Sequence, residues 1–225
     1  MPDIKIKAKD GGTFTAYQAG SGGPGIVLIQ EIFGVNKVMR DLADGYAKQG
    51  YTVLCPDLFW RIEPGIQITD KTKAEWDKAF SLFKNFDQEK GIADLVATLD
   101  HLRKSAPKVG CVGYCLGGRM AFMMAERSDI DCAVSYYGVG LDGLLGDAGK
   151  IKKPVMLHIA EKDQFVPPEA QKKVRDGLSG NKHVTMHFYP GQDHAFARVG
   201  GEHYNKQAAD EANKRTADFF KKNLA

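Results

Sequence analysis

The 225-residue chain has only four cysteines, no long apolar run and almost no excess of either charge. Cys55, Cys111, Cys115 and Cys132 come no closer to a metal-binding pattern than one C-x3-C pair. No second C-x2-C or H-x3-H accompanies it, which excludes a zinc site and a disulfide framework. Buried or part-buried thiols in a reducing compartment are expected instead. His183 and His187 do have H-x3-H spacing, but they lie in the alternating run His183-Val184-Thr185-Met186-His187, which reads as a strand. Residues four apart in a strand are separated by roughly 13 Å, too far to share a metal. The 31 Lys and Arg against 28 Asp and Glu leave +3, and the basic residues are dispersed among acidic ones, so no nucleic-acid footprint is expected. The opening Met1-Pro2-Asp3-Ile4-Lys5 carries no apolar leader, and no run approaches membrane-spanning length. These absences predict a cytoplasmic protein with no membrane partner. No metal, nucleotide or flavin site is visible. No long coiled or exposed apolar segment is evident, and a monomer is expected.

What is present is ordinary for a globular chain: 43% hydrophobic and 26% charged residues, enough to bury a sizeable core. No repeat or linker splits it, so residues 1–225 are read as one domain. Ile4, Ile6 and Ala8, then Gly11-Gly12, then Phe14 and Ala16 alternate as a β-hairpin does. Residues 20–25 form a glycine-rich turn without the Gly-Lys-Ser/Thr ending of a phosphate loop. Apolar strands are expected at 26–29, 51–55 with Pro56 as stop, 109–113, 132–137, 154–160 and 184–189.

Between them lie helical patterns. Val35, Val38, Leu42, Tyr46 and Ala47 mark one, and Ile92, Leu95, Val96, Leu99 and Leu102 another. Further helices are expected at 116–126, around Val174, and on Ala208, Ala212, Thr216 and Phe219. Trp76, Phe80 and Phe83 read as packing a covering helix. Apolar strands alternating with helices predict an α/β fold: a mostly parallel sheet covered on both faces, with reactive groups beyond the carboxyl ends of the strands.

Gly113-Tyr114-Cys115-Leu116-Gly117 joins a strand to a helix in the G-x-nucleophile-x-G form of a nucleophile elbow, with Cys at the centre. Glycine is needed at the flanking positions because helix and strand pass close together, and Gly118 gives extra room. The helix N-terminus directs partial positive charge at Cys115, which favours a thiolate and later an oxyanion. Asp163 lies past the strand at 154–160, and His194 past the last strand, in the order nucleophile, acid, histidine. Alternatives stay open at each position. Cys115 could be a packed residue, as Cys111 is read to be; Glu161 or Asp193 could supply the acid; five other histidines compete with His194, His101 lying on a charged helix and His158 inside a strand.

The chain resembles the dienelactone hydrolase family, cysteine-dependent enzymes of the α/β-hydrolase fold. The resemblance is carried by Gln30-Glu31-Ile32-Phe33-Gly34, Pro56-Asp57-Leu58-Phe59-Trp60-Arg61, Gly113-Tyr114-Cys115-Leu116-Gly117-Gly118, Tyr136-Tyr137-Gly138-Val139-Gly140 and His194-Ala195-Phe196-Ala197-Arg198. It implies a single domain in which Cys115 attacks a lactone carbonyl and forms an acyl-enzyme, while His194, oriented by Asp163, moves the proton. Glu31 would set the ionisation of the thiol, and the N–H groups of Ile32 and Leu116 would form an oxyanion hole. Arg61 and Arg198 would clamp a substrate carboxylate, with Phe33, Trp60 and Tyr137 lining the pocket.

Paired guanidiniums suit a carboxylate, and an entering negative charge can rebalance a buried glutamate. Against this, the arginines could be surface ion pairs, and Glu31 could cap the following helix. The bulk of Trp60 departs from the family pattern and is expected to reshape the pocket. The implied partner is a small anionic lactone or ester. A general carboxylesterase or thioesterase on the same residues is the alternative. Nothing in the sequence favours a silent binding protein, because each of the three reacting positions is filled.

Overall fold

The hairpin expected at the start follows from its alternation. In the computed structural model, which describes residues 3–225, β1 (Ile4–Lys7) and β2 (Thr13–Ala19) pair antiparallel, with Ile6 opposite Phe14 and Ile4 opposite Ala16. Ile6, Phe14 and Ala16 are buried while Lys5, Lys7 and Thr13 face solvent. Met1 and Pro2, the start of the segment read above for a leader, lie outside the described residues. Gly11 and Gly12 make the turn at φ +100° and +84°, a region open to glycine at little cost. A side chain at Gly12 would also come within 2.7 Å of the Trp60 ring.

The chain divides into two compact units that meet in sequence between Val109 and Gly110. In the first, β3 (Gly25–Ile29) and β4 (Thr52–Pro56) are buried throughout and pair in parallel. β4 in turn pairs antiparallel with β2, giving the order β1-β2-β4-β3. Pro56 ends β4, as expected. Between β3 and β4 runs α1 (Lys37–Lys48), and after β4 come α2 (Lys73–Asn85) and α3 (Gln88–Leu102). α1 packs on β2 and β4, and α3 on β1, β3 and β4.

Sequence periodicity misplaces the inner face of two of these helices. Asn36 caps α1 by accepting from the Met39 N–H at 3.2 Å, so Val35 precedes the helix. The buried face is then Met39, Ala43 and Tyr46, leaving Val38 and Leu42 half-buried. On α2 the buried residues are Ala79 and Leu82, while Phe80 and Phe83 are 45% and 40% exposed. Apolar residues at 76, 79, 80, 82 and 83 span more of a helix than one face can bury.

In the second unit β5 (Val109–Tyr114), β6 (Cys132–Tyr136), β7 (Val155–Ala160) and β8 (Val184–Tyr189) pair in parallel in chain order. The first three are buried along their whole length, as a covered parallel sheet requires. α4 (Leu116–Arg127) follows β5, α5 (Pro168–Leu178) follows β7, and α6 (Lys206–Leu224) closes the chain and packs on β6 and β7. The inward residue near the end of α6 is Phe220, four after Thr216, and its neighbour Phe219 stands half-buried. Among the described residues no helix is long and apolar enough to cross a membrane, and no group of three His, Cys, Asp or Glu is placed to hold a metal ion.

Candidate active site

The turn from β5 into α4 is as tight as the glycine spacing implied. A Cβ at Gly113 would lie 1.9 Å from the Gly117 carbonyl oxygen, and one at Gly118 would lie 2.6 Å from the Tyr136 carbonyl oxygen. Cys115 sits between them at φ +57°, a conformation that costs an L-residue on the order of 1–3 kcal/mol and persists only where surrounding structure enforces it. Its N–H donates to the Tyr136 carbonyl at 3.1 Å, tying the elbow to β6. Leu116 is the first residue of α4, where a backbone N–H has no partner within its own helix.

All four cysteines are free and buried, but they are not equivalent. Burial pushes the thiols of Cys55 and Cys111 far above the usual range. Cys115 instead hydrogen-bonds the His194 side chain.

His194 lies in the turn after β8, buried at 6% exposure, with Nδ1 2.8 Å from Asp163 Oδ2. The other oxygen of Asp163 accepts the Phe165 N–H at 2.9 Å, so both ends of the carboxylate are held. Burial works against charging His194. The charge of Cys115 and the hydrogen bonds to Asp163 and Cys115 outweigh it, pushing the imidazole up to about 10. Two rings stand edge-on to it, Phe165 at 4.9 Å and Tyr137 at 5.1 Å between centroids. Tyr137 reaches that position at φ +38°, just past the end of β6. Gln171 of α5 braces the acid loop from below, its amide donating to the carbonyls of Val166, Ala160 and Glu161.

The other candidates make different contacts from those of Asp163. Asp193 spends Oδ1 on the backbone N–H groups of Gln164 and His194. Glu161 is exposed. His158, fully buried, hydrogen-bonds the hydroxyls of Tyr189 and Thr216, so it belongs to the packing behind the sheet. Arg198 is buried in the turn that carries His194, its N–H donating to the Ala195 carbonyl.

The first unit presents its candidates beyond the carboxyl ends of β3 and β4. Glu31 is buried and does not cap α1, whose cap is Asn36. Gln30 Oε1 accepts the Leu58 N–H, fixing the loop after β4 to the loop after β3. Ile32 and Phe33 are buried, and Trp76 meets the Phe33 ring edge-on at 5.0 Å before stacking on Phe80 at 5.4 Å.

Arg61 takes the ion-pair arrangement. Its guanidinium grips Asp10 at 2.7 and 2.9 Å and the buried Asp94 at 2.8 and 3.2 Å. Trp60 donates to the same Asp94 at 2.8 Å and packs against Phe14, on the hairpin side. No spacing in the sequence pairs Asp10 or Asp94 with Arg61, because their separations of 51 and 33 residues are closed only by the fold.

The dienelactone hydrolase family model matches residues 12–224. The chain belongs to that family. A protein of Azospirillum brasilense that carries a provisional carboxymethylenebutenolidase name is 55% identical over the full length of both chains. The carboxymethylenebutenolidase of Pseudomonas putida is 39% identical, covering 96% of this chain and 94% of the relative. Among solved structures, a Klebsiella pneumoniae protein provisionally named a dienelactone hydrolase superposes with a TM-score of 0.85 at 24% identity. That match covers 98% of this chain and 97% of the other. The fold is therefore the α/β-hydrolase fold, and this member of the family is a hydrolase acting on ester bonds.

Proposed function

We propose that the chain opens a carboxylate-bearing unsaturated lactone through Cys115, His194 and Asp163. The observation that carries the reading is the 2.8 Å bond between His194 Nδ1 and Asp163 Oδ2, with the thiol of Cys115 hydrogen-bonded to the same histidine. Cys115 sulfur adds to the lactone carbonyl as a thiolate, and the ring C–O bond breaks to leave an enolate that takes a proton from imidazolium His194. Water, deprotonated by His194, then cleaves the thioester and restores the thiol. The N–H of Leu116 and the N-terminal end of α4 stabilise the oxyanion.

For Glu31 as a control on thiol ionisation, for the Ile32 N–H as a second oxyanion donor, and for Phe33 and Tyr137 as pocket walls, the proposal rests on the family resemblance. It also treats the chain as one domain, since the family model spans both units, and as a monomer. Arg198 carries the clamp on the substrate carboxylate. Arg61 contributes only where it leaves Asp10 and Asp94, and Trp60 moves with it. The second reading, a general carboxylesterase, is favoured by that committed guanidinium and by the exposed Phe80 and Phe83.

Cis- and trans-dienelactone and p-nitrophenyl acetate, assayed with wild type and Cys115→Ser, separate the two. Fast loss of a dienelactone that the substitution abolishes supports the lactone reading. Turnover of the neutral ester alone rejects it and keeps the three reacting residues. Glu31→Gln, expected to change the pH dependence of turnover, tests that residue by itself.

A further inference from the structure

The loops that carry Asp163 and His194 follow the paired strands β7 and β8, where Ala160 stands opposite Tyr189, and both are built from short turns. Across them lie the Lys162 N–H to the Gln192 carbonyl at 2.8 Å and the Glu161 N–H to the Tyr189 carbonyl at 3.2 Å. One side chain completes the connection. Asp193 Oδ1 accepts the Gln164 N–H at 3.0 Å and the His194 N–H at 2.6 Å. The first donor belongs to the residue after Asp163 and the second to the histidine itself.

We infer that Asp193 is a positioning residue: its carboxylate clasps the acid loop to the histidine loop and so sets the Asp163–His194 bond. The placement suits the task, because a carboxylate oxygen has the lone pairs to take two N–H groups at once, and charge-assisted bonds are short and strong. Burial acts to raise the Asp193 carboxyl, and the N–H groups of His194 and Gln164 overcome it, holding the carboxyl below the usual range. The second oxygen faces His203, whose Nε2 is 3.9 Å away and 3.3 Å from the Gln164 side-chain amide. His203 therefore closes the clasp from the solvent side. The clasp matters to chemistry because displacing a reacting group by about 1 Å can cost on the order of a hundredfold in rate. It rests on reading Asp163 and His194 as the reacting pair and adds how that pair is held.

The test compares Asp193→Ala, which removes the acceptor, with Asp193→Asn, whose amide oxygen keeps it. With p-nitrophenyl acetate, Asp193→Ala is expected to lower kcat by about tenfold or more with KM changed by less than about twofold. Asp193→Asn should stay within about threefold of wild type. A wild-type kcat in Asp193→Ala, or an Asn variant as impaired as the Ala variant, overturns the proposal. Alkylation of Cys115 by iodoacetamide, located by peptide mass spectrometry, reads the same clasp without turnover. Asp193→Ala should slow it by about fivefold, and an unchanged rate also overturns the proposal. If wild type hydrolyses neither ester nor lactone, the proposed function fails while alkylation still decides this point. Should Asp193→Ala not fold, Asp193→Glu replaces it. That variant keeps the charge, displaces the oxygens by one methylene, and must still lower kcat by about fivefold.

Discussion

Asp163 and His194 stand 31 residues apart in sequence and 2.8 Å apart in space, and neither carboxylate oxygen of Asp163 is left over: one meets the imidazole, the other the Phe165 N–H. Asp163→Asn keeps the shape but replaces the oxygen or presents an N–H to Nδ1. It is expected to lower kcat/KM for p-nitrophenyl acetate by about a hundredfold or more, with little change in far-ultraviolet circular dichroism. A loss of less than about threefold would show that the acid does not orient the histidine.

The ionisation of His194 depends on Cys115. In wild type the imidazole should titrate at about 10, and in Cys115→Ser it should titrate lower, since the interaction with Cys115 that opposes burial is gone. Carbon-13 shifts of the labelled ring report both values. The sign for stability follows. A histidine raised in the folded state stabilises fully below its unfolded value near 6.5 and loses that contribution as pH rises through about 10. The wild-type melting temperature should therefore fall across that window relative to Cys115→Ser. Equal titration in the two proteins would break the link.

Glu126, on α4 and only 6% exposed, has both carboxylate oxygens buried without a hydrogen-bond partner among the described residues. Burial, aided by Asp147, raises it to about 7 despite Arg127, Lys150 and Arg119 nearby. A raised carboxyl favours the folded state at low pH, so stability is lost as pH climbs from near 4.5 through about 7. Glu126→Gln should raise the melting temperature at pH 8 by a few degrees, as about 2–4 °C corresponds to one kcal/mol in a chain of this size. The two proteins should melt alike at pH 5. A gain at pH 5 as large as at pH 8 would count against the buried charge.

Gly113→Ala puts a methyl group 1.9 Å from the Gly117 carbonyl oxygen, which is backbone and cannot swing aside. The expected cost is at or above the upper end of ordinary substitutions, about 3 kcal/mol, measured by urea unfolding. Gly143→Ala, with nothing within 4 Å of the new methyl, serves as the control. A stable Gly113→Ala would mean that the elbow can open.

Arg61→Ala removes both guanidinium contacts of the buried Asp94, leaving the Trp60 N–H, and should lower stability by about 1–3 kcal/mol at pH 7. If Arg61 is purely structural, KM for an anionic lactone stays unchanged, whereas loss of Arg198 raises it. A parallel rise in both variants would return Arg61 to the clamp.

Features under local control could be read from residue order. The hairpin follows from alternation around two glycines, the buried strands from apolar runs, and the elbow at Cys115 from the glycines that alone fit between helix and strand. The nearness of Asp163 and His194 was legible because each lies in the loop after a strand, and β7 and β8 are neighbours in the sheet.

Contacts between segments distant in the chain emerged with folding. Folding placed Arg61 between Asp10 and Asp94, gave Asp193 two backbone N–H groups rather than the imidazole, and turned Phe80 and Phe83 outward while Ala79 and Leu82 went in. Periodicity says which residues can share a face, but which charge meets which, and which of two apolar faces is covered, depends on what folding brings opposite them.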